Sequence, residues 1–72
     1  MSTTQAVALS SSLRAQRKQL GLTQAELADL SGVSARFVFD VENGKPSISF
    51  DKLLLVISTL GLELVVRPKN ND

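Results

Sequence analysis

Apolar positions along this 72-residue chain fall into four runs with helical spacing, each closed by one of its four glycines, and then into a short stretch where the spacing changes. Leu9, Leu13 and Leu20 recur on one stripe, which predicts a first helix from about Ala6 to Leu20, capped by Thr4 and stopped by Gly21. Thr23 and Glu26 have the spacing of a capping box, so a second helix is expected over about 24–31, with Gly32 ending it. Ser34 offers a capping oxygen to a third helix over about 35–43, in which Phe37, Val38 and Val41 follow the i, i+1, i+4 rule of a buried stripe. Asn43-Gly44 supplies its left-handed exit, and Pro46 blocks continuation. A fourth helix is expected over about 50–60, after Ser49 and before Gly61.

The centre of that fourth helix, Leu53-Leu54-Leu55-Val56-Ile57, is apolar nearly all the way round, and such a helix must be covered on more than one side. Leu62-Glu63-Leu64-Val65-Val66-Arg67 then alternates in part, is rich in β-branched residues and is closed by Pro68, so a short strand is expected over about 62–67. A lone strand has no ladder partner. The same segment of a second copy is the economical one, across a two-fold axis, and Leu55, Leu62, Leu64, Val65 and Val66 are the expected dimer-interface residues. The competing reading extends the fourth helix or leaves an irregular tail; Gly61 speaks against the helix. The fold class is therefore all-α: one domain of four helices, spanning the whole chain, with one short C-terminal β-strand that pairs across a dimer.

Composition removes most chemistry. With no cysteine and no histidine, disulfides, thiolate or imidazole metal sites and Cys- or His-based catalysis are excluded. The carboxylates are scattered, Ser10-Ser11-Ser12 has no base partner in sequence, and no glycine loop cradles a phosphate, so no enzyme, cofactor or metal is expected. No stretch has the apolar length to span a bilayer, and Met1-Ser2-Thr3-Thr4-Gln5 has no basic region before a hydrophobic one, which predicts a cytoplasmic protein. Net charge is only +1, weak for a partner of nucleic acid, and a mixed solubilising surface accounts for it equally well. Distribution matters more: Arg14, Arg17, Lys18, Arg36, Lys45 and Lys52 lie before, within or just after the second and third helices.

Those two helices, joined by a tight turn within Thr23–Gly44, read as a helix-turn-helix. Opposite the buried stripe of the third helix stand Ala35, Arg36, Phe39 and Asp40, and in such motifs residues near the N-terminal end of this helix meet base edges in the major groove. The plainer reading is an ordinary solvated face of a small bundle. The capping box, turn glycine and second cap, all at the spacing a helix-turn-helix needs, favour DNA.

Leu20-Gly-Leu-Thr-Gln-Ala-Glu-Leu-Ala28, followed by Gly32-Val-Ser34 and Glu42-Asn-Gly-Lys45, resembles the Xre-type helix-turn-helix family, which includes the lambdoid phage repressors. The resemblance covers about Leu9 to Leu60. With Val33-Ser-Ala-Arg-Phe37 opening the third helix and a short tail after Leu60-Gly-Leu62, the layout is most similar to the HipB-type antitoxins, which repress their own operon and bind a HipA-type serine/threonine kinase toxin. The resemblance implies a homodimeric repressor on double-stranded DNA with an inverted-repeat operator; a stand-alone Xre regulator without a toxin is the alternative. It puts Gln24 on a phosphate, turns Ser34, Ala35, Arg36 and Asp40 to the major groove, and lays Asn43 and Lys45 along the backbone. It also pairs Arg17 with Glu42 as a structural ion bridge, although Arg17 as a phosphate contact competes with that role. Phage repressors often carry glutamines where Ala35 and Arg36 stand, so Arg36 is expected to read guanine O6 and N7 instead. Phe39 either touches a thymine methyl or packs against the fourth helix or the dimer mate. Asp40 either accepts from a cytosine amino group or holds Arg36, the second being favoured.

Overall fold

The computed structural model describes residues 4–69 and places four helices there: α1 (Thr4–Gln19), α2 (Gln24–Ser31), α3 (Ala35–Glu42) and α4 (Phe50–Thr59). Local chemistry sets the boundaries. The Thr23 side chain accepts from the Glu26 amide at 3.0 Å while the Glu26 carboxylate accepts from the Thr23 amide at 2.8 Å, so two of the orphan donors at the start of α2 find partners and the Gln24 and Ala25 amides stay open. Ser34 and Ser49 accept from the amides three residues on, at 3.0 and 3.3 Å, and so begin α3 and α4. α1 is described from Thr4 onward, and the capping role expected of the Thr4 side chain lies outside the described residues.

All four helices end by the same device. Gly32 sits at φ 74°, a left-handed conformation that costs glycine nothing, and the next amide, Val33, bonds back to Ala28 at 3.0 Å. Leu22 to Arg17, Lys45 to Asp40 and Leu62 to Ile57 repeat that closure at 3.1, 3.0 and 3.1 Å. The residue after the glycine usually turns inward in this motif. Leu22, Val33 and Leu62 do so, partly buried against the core; Lys45 is the exception and is exposed.

The core is Leu13 of α1, Leu27 and Ala28 of α2, Val38 and Val41 of α3, and Leu53, Val56, Ile57 and Leu60 at the end of the bundle. The stripe Phe37, Val38, Val41 thus faces inward, with Phe37 at its partly buried margin. α3 packs against both α2 and α1, and α2 against α4, so the third helix is seated from two sides. A fully buried Leu or Val contributes about 1.5–3 kcal/mol, which makes this small core the main source of stability. Leu20 does not join it. α1 ends one residue before, the chain turns, and Leu20 is left 49% exposed while Leu22 enters the core margin.

Beyond Gly61 the backbone neither continues α4 nor forms a ladder: no strand is present among the described residues. The helix extension is ruled out, because the turn at Gly61 closes α4. The strand needs a second copy, which a single chain does not supply. Leu62 packs on its own core, whereas Leu55, Leu64, Val65 and Val66 are exposed.

Candidate nucleic-acid interface

α3 presents its outward side at the end nearest the turn. Ser34, Ala35 and Arg36 are exposed there, and Phe39 follows one turn later. The Arg36 side chain, 78% exposed, is not loose: its Nε donates to Asp40 Oδ1 at 3.1 Å, and its guanidinium carbon lies 5.3 Å from the centroid of the Phe39 ring. The attraction of a cation to the negative face of the ring adds to the ion pair. Asp40 is mostly covered, and its second oxygen faces Lys45 Nζ at 3.6 Å. One carboxylate therefore restrains two cations, one on the helix and one on the loop that follows it. Asn43 turns its amide back onto the Phe39 carbonyl at 2.8 Å, tying the end of α3 to its last turn.

Behind this surface lies a second network. Arg17 of α1 grips Glu42 with Nε to Oε2 at 2.6 Å and Nη2 to Oε1 at 3.0 Å, while its Nη1 donates to the Leu22 carbonyl at 2.7 Å. Each of the three guanidinium nitrogens thus donates one hydrogen bond within the protein, and Arg17 as a whole is only 8% exposed. Gln24, at the first position of α2, donates Nε2 to Glu42 Oε1 at 3.1 Å. Glu42 thus joins α1, α2 and α3 at one point. Burial pushes its carboxyl up, but hydrogen bonds from Arg17 and Gln24 and the charges of Arg17 and Arg14 outweigh that and hold it below the usual carboxylate value. The same pairing raises Arg17, against its desolvation. Glu26 is lowered as well, by the Thr23 hydrogen bonds of the capping box.

Geometry therefore lines Ser34, Ala35, Arg36, Phe39 and Asp40 along α3, with Lys45 on the loop that follows it, and gives Gln24 a partner inside the protein. Phe39 is 44% exposed and lies outside the buried core. Three connections have no counterpart in the sequence reading: Gln24 to Glu42, Ser10 Oγ to the Val41 carbonyl at 2.7 Å, and Gln16 to the Leu60 carbonyl at 3.0 Å. The first two anchor α3. Ser10 was legible in part, since it alone of Ser10-Ser11-Ser12 shares the helix face of Leu13 and Arg17. Among the described residues there is no cluster of three or more metal-ligating side chains, and no helix is long and apolar enough to cross a membrane.

Two short helices at the turn set by Gly32, the second seated by its neighbours and bearing a restrained arginine at its exposed N-terminal end, define a helix-turn-helix of the kind found in transcription regulators. The chain belongs to the helix-turn-helix family, whose model matches residues 13–66. It is 44% identical over 52 residues to an uncharacterised HTH-type transcriptional regulator of Sinorhizobium fredii, covering 72% of this chain and 68% of that one. A second uncharacterised HTH-type regulator, from Haemophilus influenzae, is 36% identical over 62 residues, 86% of this chain and 63% of its own length. Among solved structures, a toxin–antitoxin module from Streptococcus pneumoniae superposes with TM-score 0.77 at 36% identity, covering 92% of this chain and 72% of that chain. The restriction-modification controller protein C.AhdI from Aeromonas hydrophila gives 0.71 at 34%, covering 81% and 84%. A chain of a HipA–HipB–O2–O3 complex gives 0.81 at 22%, covering 90% and 92%, a likeness of fold.

Proposed function

We propose that this chain is a sequence-specific repressor that reads an inverted-repeat operator in duplex DNA as a homodimer, and that it is the antitoxin of a HipA-type serine/threonine kinase toxin, repressing its own operon. The observation that carries the DNA-reading part is Arg36: an exposed guanidinium on the N-terminal turn of α3, aimed by Asp40 and flanked by Phe39. Its terminal nitrogens match the two acceptors of guanine in the major groove. Lys45 and Asn43 border it where the sugar–phosphate backbone would run, and the open amides at the start of α2 add an anion site beside Gln24. Leu55, Leu64, Val65 and Val66 stand exposed on α4 and the tail, which supports a second copy pairing through 62–67.

The antitoxin part draws on the HipB-like fold and on the 36% identity to a toxin–antitoxin module. A stand-alone regulator of the Xre type is the second reading, favoured by the 34% identity to a restriction-modification controller. Selection from a randomised duplex library tests the first part: an enriched inverted repeat is expected, and unselective binding would overturn it. Co-purification with the product of the adjacent gene decides the second. A kinase-like partner supports the antitoxin, and a chain that represses fully with no neighbour bound is a stand-alone regulator.

A further inference from the structure

We infer that Arg36 and Phe39 act as one reading unit, which takes a guanine together with the C5 methyl of a neighbouring pyrimidine, so that thymine or 5-methylcytosine beside that guanine binds better than uracil or cytosine. This deepens, and rests on, the DNA-reading assignment of α3. Two observations carry it. The first is how Arg36 is held. Asp40 Oδ1 takes the Nε proton at 3.1 Å, which leaves Nη1 and Nη2 as the free fork. A guanidinium restrained by Nε approaches guanine end-on, one terminal nitrogen to O6 and the other to N7. The restraint is itself restrained, since Asp40 is mostly covered and its other oxygen faces Lys45.

The second is what stands beside that fork. The Phe39 ring centroid is 5.3 Å from the guanidinium carbon, and the ring is 44% exposed on the same outward side. Most groups on the major-groove floor are hydrogen-bond donors or acceptors, which a phenyl ring would desolvate without replacing their partners. The thymine methyl is the apolar exception, and methylation at cytosine C5 places the same group on a G·C pair. A ring fixed alongside the guanine-reading fork therefore lies over the neighbouring base of the step, where a methyl gains contact and a bare C5–H does not. One methyl-sized apolar contact corresponds to about four-fold in affinity.

Fluorescence anisotropy with the full chain and the operator found by selection tests the unit. The expected operator has a thymine next to the guanine in each half-site. Replacing that thymine by uracil should weaken wild type about four-fold, and methylating a cytosine placed there should strengthen it about as much. Phe39→Ala should show neither effect while keeping its guanine preference, and Phe39→Leu should keep both in part. Equal methyl responses in wild type and Phe39→Ala, or a selected guanine with no thymine beside it, would overturn the unit while leaving DNA reading intact. A library that enriches no sequence would overturn both.

Discussion

Arg17 and Glu42 stand 25 positions apart and meet in a two-pronged ion pair, with side chains only 10% and 3% exposed. Both prongs are charge-assisted, and the Leu22 carbonyl and the Gln24 amide take up further donors and acceptors of the pair. A pair this covered behaves unlike a surface bridge, because removing either member strands a charge. Glu42→Ala and Arg17→Ala should each cost about 3–5 kcal/mol in urea unfolding, against under about 1 kcal/mol for an exposed bridge. Midpoints near wild type for both would show that water screens the pair after all.

Acid should attack the same point. Glu42 is held below the ordinary carboxylate value, so its stabilising contribution is complete above that value and disappears as pH falls through the lower folded one. With no histidine and no cysteine in the chain, no side chain has its ordinary pKa between about 5 and 8. Thermal unfolding midpoints are expected to be flat from pH 6 to 8 and to drop below about pH 4, and Glu42→Gln should lose less than wild type over the acid limb. A midpoint that already declines near neutrality would contradict this.

Arg36 and Lys45 share Asp40, yet their substitutions should read differently. Arg36→Ala is expected to cost about 1–3 kcal/mol and to relax the preference at one base pair per half-site. Lys45→Ala should weaken all duplexes alike and flatten the salt dependence by about one unit of slope. Library selection at two salt concentrations separates them; a uniform loss from Arg36→Ala would remove its base-reading role.

The exposed apolar surface of α4 and the tail predicts association. Sedimentation equilibrium at micromolar protein should give a dimer, and a clean monomer of 7.7 kDa would sink the idea. Val65→Pro removes a ladder donor and should weaken the dimer without changing the helical circular dichroism, since residues 62–69 contribute no helix. Leu55→Asp should weaken it through α4 instead.

What a few neighbouring residues decide was legible in the sequence. The Thr23–Glu26 box, the caps at Ser34 and Ser49 and the glycine stops involve partners within six positions, so the second and third helices could be placed almost to the residue. The outward set Ala35, Arg36, Phe39, Asp40 followed from the same local periodicity. Longer reach was lost. Ser10 finds Val41 across 31 positions and Gln24 finds Glu42 across 18; helix spacing puts Ser10 on the inward face of α1, but no spacing rule names either partner. Leu20 misled because periodicity assumes a helix that continues, whereas α1 had already ended. The tail is a different case, since a strand is a property of two segments and one copy cannot display it.

Glu42 gathers α1, α2 and α3 on a single carboxylate, and this limits how such a reader can be silenced. α2 and α3 cannot slide past one another without stranding a charge, so bending the motif out of shape is an expensive route to release. In the proposed dimer the cheaper coordinate is the separation between the two copies. A partner or effector that changes this spacing would move one rigid head off its half-site while leaving every contact inside each head untouched.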